Sequence, residues 1–163
     1  MDETASALGR LIAQLEHPML IVTATAAGRR EGCLVAFATQ TSIEPVRFAV
    51  CVARVNRTHA VAKRAPALAV HVVPAAAREL AELFGARTGD EVDKFARCRW
   101  REGPAGAAIL EDCPAWFVGR PIARWQAGDH DAFVLEPIAA AAGERTGVFT
   151  TAAARAIEPG HPL

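Results

Sequence analysis

Three short polar stretches interrupt an otherwise apolar chain, and each gathers groups that can meet a ligand. In RVNRTHAVAKR (54–64), Asn56, Arg57, Thr58 and His59 stand together between the runs VRFAVCVA and LAVHVV, with Lys63 and Arg64 one turn on. Asn56 or Thr58 can cap a helix running to Arg64, and unpaired N–H groups at a helix start favour an anion. Arg57 or His59 can add charge-assisted bonds to phosphate oxygens. The plainer alternative is a capped, solvated connector. In the second stretch, Thr39, Gln40, Thr41 and Ser42 cluster where a strand breaks before Glu44-Pro45. They suit either a flat polar ligand met through backbone groups or an ordinary turn. The third is Gly128-Asp129-His130, a tight turn from which a histidine emerges at a strand start. His130 can line a pocket mouth or donate near neutral pH; otherwise it is an exposed hairpin histidine. Phe84, Trp100, Trp116 and Trp125 are aromatics that can stack on a ring or simply fill the core.

Other chemistries find no footing. The sequence has no GxGxxG after a strand, no GxxxxGK[ST] and no HExxH. Ser6 and Ser42 lack the elbow context of a hydrolase nucleophile. His59, His71 and His130 with a cysteine have no ligand-like spacing, so no metal is expected. Lys+Arg and Asp+Glu both count 18, which argues against a general nucleic-acid binder. Cys33, Cys51, Cys98 and Cys113 form no CxxC pair and read as reduced, mostly buried thiols of a cytoplasmic protein. No apolar run approaches the roughly 20 residues that span a bilayer, and the acidic N-terminus is unlike a signal peptide.

The elements that must position these stretches follow from periodicity. Leu8, Leu11, Ile12 and Leu15 make one apolar helix face, ended by His17-Pro18. PMLIVTATA and GCLVAFAT, about a turn at Ala27–Arg30, read as a hairpin. VRFAVCVA and LAVHVV are further strands, with the polar loop and its short helix between them. Pro74 opens the expected helix PAAARELAELF, and residues 85–106 read as an irregular crossing. AWFVGRPIARWQ and HDAFVLEPIAAA form a second hairpin, and the tail offers a last strand or helix. Short strands in consecutive pairs favour an antiparallel barrel, mainly β with peripheral helices, as one domain over 1–163.

The ordered set of PMLIVTATAAG, TQTSIEPVRFAVCV, NRTH, LAVHVVP, ELAELFG, DKFA and GDH resembles the flavin reductase-like family, over about residues 18–140. That resemblance implies a small FMN-binding split β-barrel and a homodimer with flavin near the interface. It implies an NAD(P)H-dependent reductase that passes hydride to FMN (FAD being an alternative), with a monooxygenase as a further partner. It assigns Thr39, Gln40, Thr41 and Ser42 to the isoalloxazine and ribityl chain, and Asn56, Arg57, Thr58 and His59 to the phosphate. Phe84 falls near the flavin, and His130 beside the nicotinamide or substrate. Alternatives within the resemblance are a flavin carrier without NAD(P)H turnover and an enzyme with another donor or acceptor. His71 departs from a position where many relatives carry Asn, which bears on ring-edge contacts. Glu136-Pro137 departs on the nicotinamide or substrate side.

Overall fold

The computed structural model describes residues 2–89 and 91–160; the one-domain expectation also takes in Met1, Asp90 and 161–163, which lie outside them. After α1 (Glu3–Ile12) come β1 (Leu20–Ala26), β2 (Arg29–Val35), β3 (Ala38–Ser42) and β4 (Arg47–Ala53). Then follow α2 (Arg57–Ala62), β5 (Leu68–Val72), α3 (Arg78–Gly85), β6 (Trp100–Glu102) and β7 (Ala108–Leu110). Two long strands, β8 (Trp116–Ala127) and β9 (His130–Ala141), and a short α4 (Thr151–Ala154) complete the order. The main sheet has seven strands in the order β2-β1-β5-β8-β9-β4-β3, all pairs antiparallel. It curls until β2 meets β4, and the Cys51 N–H donates to Phe37 O at 2.8 Å, extending the β3–β4 ladder by one pair.

The period of two decides what each strand face covers. Leu20, Val22 and Ala24 of β1 point inward with Leu68 and Val70 of β5, Val50 and Val52 of β4, and Phe133 and Leu135 of β9. Met19 and Ile21 face outward into a second apolar layer with Leu80, Phe84, Phe95 and Leu110. Being buried on both faces, β1 reads as a continuous apolar run instead of an alternating one. Val61 and Ala62 of α2 join the inner cluster, so the helix plugs one end of the curled sheet.

The fold is mainly β with peripheral helices, as the sequence suggests, and four local expectations are corrected. GCLVAFAT is two elements: β2 stops at Val35, and β3 begins at Ala38 to pair with β4. The third helix starts at Arg78 rather than Pro74, whose backbone bridges Val148 instead. The irregular crossing contains the β6–β7 hairpin. The apolar stripe of α1 covers nothing in the described chain, since Leu8, Leu11, Ile12 and Leu15 are all exposed. All four cysteines are free thiols. Among the described residues no helix is long and apolar enough to cross a membrane, and no cluster of His, Cys, Asp or Glu could hold a metal.

Candidate functional site

A cleft of about 260 Å³ opens where the end of β2, the α2 loop, the end of α3 and the start of β9 converge. Its lining is mostly apolar: Cys33, Leu34, Val35, Ala36 and Phe37 run along one side, with Cys51 and Ala53 of β4. Phe84 supplies an aromatic wall, and Asn56, Arg87 and His130 supply the polar and charged fittings.

Each fitting has a local reason. Asn56 is the N-cap of α2, yet its side chain makes no capping bond, which leaves the amide for the cleft. Phe84 is held by edge contacts, 5.8 Å from the Phe95 ring at 82°, and by the bare backbone of Gly32. A Cβ at Gly32 would meet the Phe84 ring at 2.7 Å. Behind that wall Lys94 is buried, and its Nζ donates to Gly32 O at 2.9 Å and Phe84 O at 3.4 Å. Burial lowers the Lys94 pKa, against the opposing pull of Cys33 and Glu31. The lysine thus braces β2 and α3 on either side of the aromatic wall.

His130 begins β9, opposite Ala53 of β4, after a turn in which Gly128 takes φ +87°. Its Nδ1 lies 2.7 Å from Asp129 Oδ1, and its ring packs at 5.2 Å from Phe37. That hydrogen bond holds the Asp129 carboxyl below its usual range. With Nδ1 committed, Nε2 is the nitrogen left to meet a ligand. The neighbouring Cys33 is no nucleophile: burial pushes its thiol up to about 11, against a hydrogen bond from Thr58.

The other residues singled out in the sequence do not line the cleft. Thr39, Gln40 and Thr41 are exposed on β3, and Ser42 is half-buried. Two of their polar groups turn inward on the strand itself: Gln40 Nε2 donates to Ser42 O and Thr39 Oγ1 to Gln40 O. Arg57 lies 3.4 Å from Glu31 and donates to Gly89 O at 3.2 Å, tying α2 to β2 and the loop after α3. Thr58 is buried on Cys33.

His59 is buried too, with Nε2 at 2.8 Å from Asp131 Oδ2. Asp131 also accepts from Arg54 at 2.8 Å and Arg124 at 3.1 Å. The hydrogen bonds from His59 and Arg54 hold its carboxyl down at about 2. This cluster locks α2 onto β9 and so fixes Asn56 and His130 relative to one another.

Trp100 sits in the outer layer under Arg30, Trp116 lies beside Arg101, and Trp125 is 59% exposed; only Phe84 of the four aromatics lines the cleft. His71 is buried and does not line the cleft. Its Nδ1 lies 3.0 Å from Ile21 O, and its Nε2 accepts from Leu110 N–H at 3.0 Å. Glu136 pairs with Arg47 at 3.1 Å and does not line the cleft. Lining residues that the sequence did not single out for the site include Cys33 to Phe37, Arg87 and the C-terminal Ala154, Ile157, Pro159 and Gly160. Arg87 alone carried a signal, as a cation just past the α3 terminus.

The family model described as "Flavin reductase like domain" matches residues 12–156, most of the chain. The chain belongs to that family. The FMN reductase (NADH) RutF of Variovorax paradoxus (strain S110) is 30% identical over 132 residues, covering 81% of this flavin reductase-like chain and 73% of its own. A flavin reductase domain protein from Arthrobacter sp. FB24 superposes with TM-score 0.83 at 23% identity, over 98% of this chain and 97% of that one. At that identity the likeness speaks for the fold. A chain from Sinorhizobium meliloti 1021 matches with TM-score 0.76 at 26% identity; 92% of this chain covers only half of that one.

Proposed function

We propose that the chain is an FMN-binding, NAD(P)H-dependent flavin reductase whose flavin occupies the cleft between β2, α3 and His130. The observation that carries the reading is the cleft's composition: the aromatic rings of Phe84 and Phe37, a mostly apolar lining, and few polar groups, chiefly Asn56, Arg87 and His130. Ring-shaped cofactors are held this way, by shape and stacking with a few polar fixings. The similarity to the Variovorax paradoxus FMN reductase supports the same cofactor and an NADH donor.

Bound flavin supplies the redox chemistry, accepting hydride from a nicotinamide, so no protein nucleophile is required. The chain's own part is positioning. Phe84, braced by Lys94, limits the tilt of the ring, and the backbone from Cys33 at the end of β2 to Phe37 before β3 offers its edge hydrogen bonds. Arg87 is the guanidinium that lines the cleft, and with Asn56 it takes the phosphate end; FAD would need the same anchor. Arg57, Thr58 and His59 act one layer back, holding the loop that presents Asn56. Thr39, Gln40, Thr41 and Ser42 support the same strand edge from β3. His130, oriented by Asp129, meets the nicotinamide through Nε2. A homodimer fits the exposed apolar residues Phe37, Ile43, Val46, Val55 and Trp125, two of which (Phe37 and Val55) also line the cleft. A cytoplasmic location and a reduced-flavin-consuming monooxygenase partner complete the reading, as does a single domain over 1–163.

Titration of apo protein into FMN, followed by flavin fluorescence, tests the site. Saturable binding is expected, weakened by about 1.5–3 kcal/mol in Arg87→Ala, the scale of a charge-assisted bond. The same weakening from Arg57→Ala with Arg87→Ala silent would move the phosphate to the α2 loop. No binding would sink the flavin reading.

A further inference from the structure

The C-terminal segment is fastened firmly up to Thr151 and loosely beyond it. Phe149 N–H donates to Val73 O and Met19 N–H to Phe149 O, both at 2.8 Å. Thr151 and His17 exchange two bonds, Thr151 N–H to His17 O at 2.9 Å and His17 N–H to Thr151 Oγ1 at 3.1 Å. Past that point the hydrogen bonds to the rest of the described protein are long and peripheral. They run from Arg78 to Ala153 O at 3.4 Å, from Arg155 to Ala13 O at 3.2 Å, and from Gly160 N–H to Gly85 O at 3.2 Å. Ile157 is the main apolar foothold, half-buried against Gly85 beside Leu34. A segment held by so few buried contacts opens at low free energy.

This loosely held segment crosses the site. Ala154, Ile157, Pro159 and Gly160 line the cleft, and Ile157 and Pro159 also line a second cavity of about 590 Å³ along α3. The segment is therefore a partition between two spaces that share Arg87. With the partition in place the cleft offers about 260 Å³, less than the roughly 300–1,000 Å³ of pockets that enclose a drug-sized ligand. A flavin mononucleotide seated there is not enclosed, and it gains room when a wall gives way. The strands and the Lys94 brace are fixed; residues 152–160 are the wall that can move.

We propose that residues 152–160 form a displaceable strap, seated across the cleft when no flavin is bound and moved aside, hinging at Thr151, when flavin enters. The proposal rests on the flavin reading above. Seating of the strap lowers the apparent affinity by the fraction of chains that are closed, so anything that loosens it speeds and strengthens binding. Displacement joins the two cavities into one trough and uncovers the Ala86–Arg87 backbone, against which Gly160 packs.

Trypsin cleavage after Arg155 in the full chain, with and without FMN, reads the strap directly. FMN at saturation is expected to accelerate that cut several-fold while cuts after Lys63 and Arg64 keep their rates. Ile157→Ala is expected to raise the association rate of FMN, followed by stopped-flow fluorescence, about three- to tenfold. Saturable FMN binding with the Arg155 cut unchanged or slowed, and Ile157→Ala binding at the wild-type rate, overturns the strap and leaves the flavin reading standing. Binding by Ile157→Ala but not by the wild-type chain supports the strap as the barrier. Failure of both chains to bind FMN overturns the flavin reading and the strap with it.

Discussion

His71 has both ring nitrogens bonded inside the protein, to Ile21 O and Leu110 N–H, so it is held as the neutral ring. Burial lowers its pKa to about 4 from the ordinary 6.5. The unfolded chain therefore binds an extra proton between those values, and stability falls as pH drops through the window. The loss approaches about 3 kcal/mol by pH 4. Urea unfolding at pH 7 and pH 4.5 should show it, and His71→Leu should be less stable at pH 7 but with a flatter pH slope; an unchanged slope would contradict the assignment. His130 differs, since its Nε2 stays open at the cleft. His130→Ala should raise KM for the nicotinamide about tenfold, one lost hydrogen bond, with FMN affinity unchanged. Of the residues the sequence singles out, Asn56, Phe84 and His130 line the cleft: Asn56 and His130 stand out as polar groups between apolar runs, and Phe84 through the family resemblance. Cys33 to Phe37 were not legible, because CLVAF reads as an ordinary apolar strand run and nothing in its residue types marks a cleft wall. Arg57, Thr58 and His59 drew notice as an anion loop, but their burial and partners depend on Glu31, Cys33 and Asp131, distant in sequence.

At the scale of elements, the site depends on β2 and α3 approaching without a side chain between them. Gly32→Ala puts a Cβ at 2.7 Å from the Phe84 ring, and the Phe95 ring packed on its edge leaves the buried ring little freedom to retreat. That substitution should cost about 1–3 kcal/mol in urea unfolding and weaken FMN binding about tenfold or more. Wild-type FMN affinity in a folded Gly32→Ala protein would show that Phe84 is no part of the flavin wall. The strands were legible where alternation or a doubly buried run marked them, as in β1, β4, β5, β8 and β9. The break between β2 and β3 was not, since Ala36 and Phe37 continue an apolar run; it shows only in the change of partner, from β1 up to Val35 to β4 from Phe37 onward. The β6–β7 hairpin, three residues a side, is too short for periodicity to show.

At the scale of the molecule, apolar surface remains in excess. The α1 stripe and Trp125 are about half exposed or more, which a lone chain rarely tolerates over a continuous helix face. Sedimentation equilibrium should return twice the chain mass, and Trp125→Glu should shift the balance toward monomer; a monomeric wild type would contradict the dimer. The overall order of strands and helices was legible because apolar periodicity and turn residues mark most of them along the chain. The C-terminal segment was not, because its seat on the cleft is made by contacts with residues more than 60 positions away in sequence, such as Gly85 and Leu34.

The central claim is that flavin in this cleft accepts hydride. Protein loaded with FMN, mixed anaerobically with NADH or NADPH in a stopped-flow instrument, tests it by loss of the oxidised-flavin absorbance. The expected result is rapid, saturable bleaching that slows in His130→Ala. Tight FMN binding with no bleaching by either nucleotide would contradict the reductase and leave a flavin carrier.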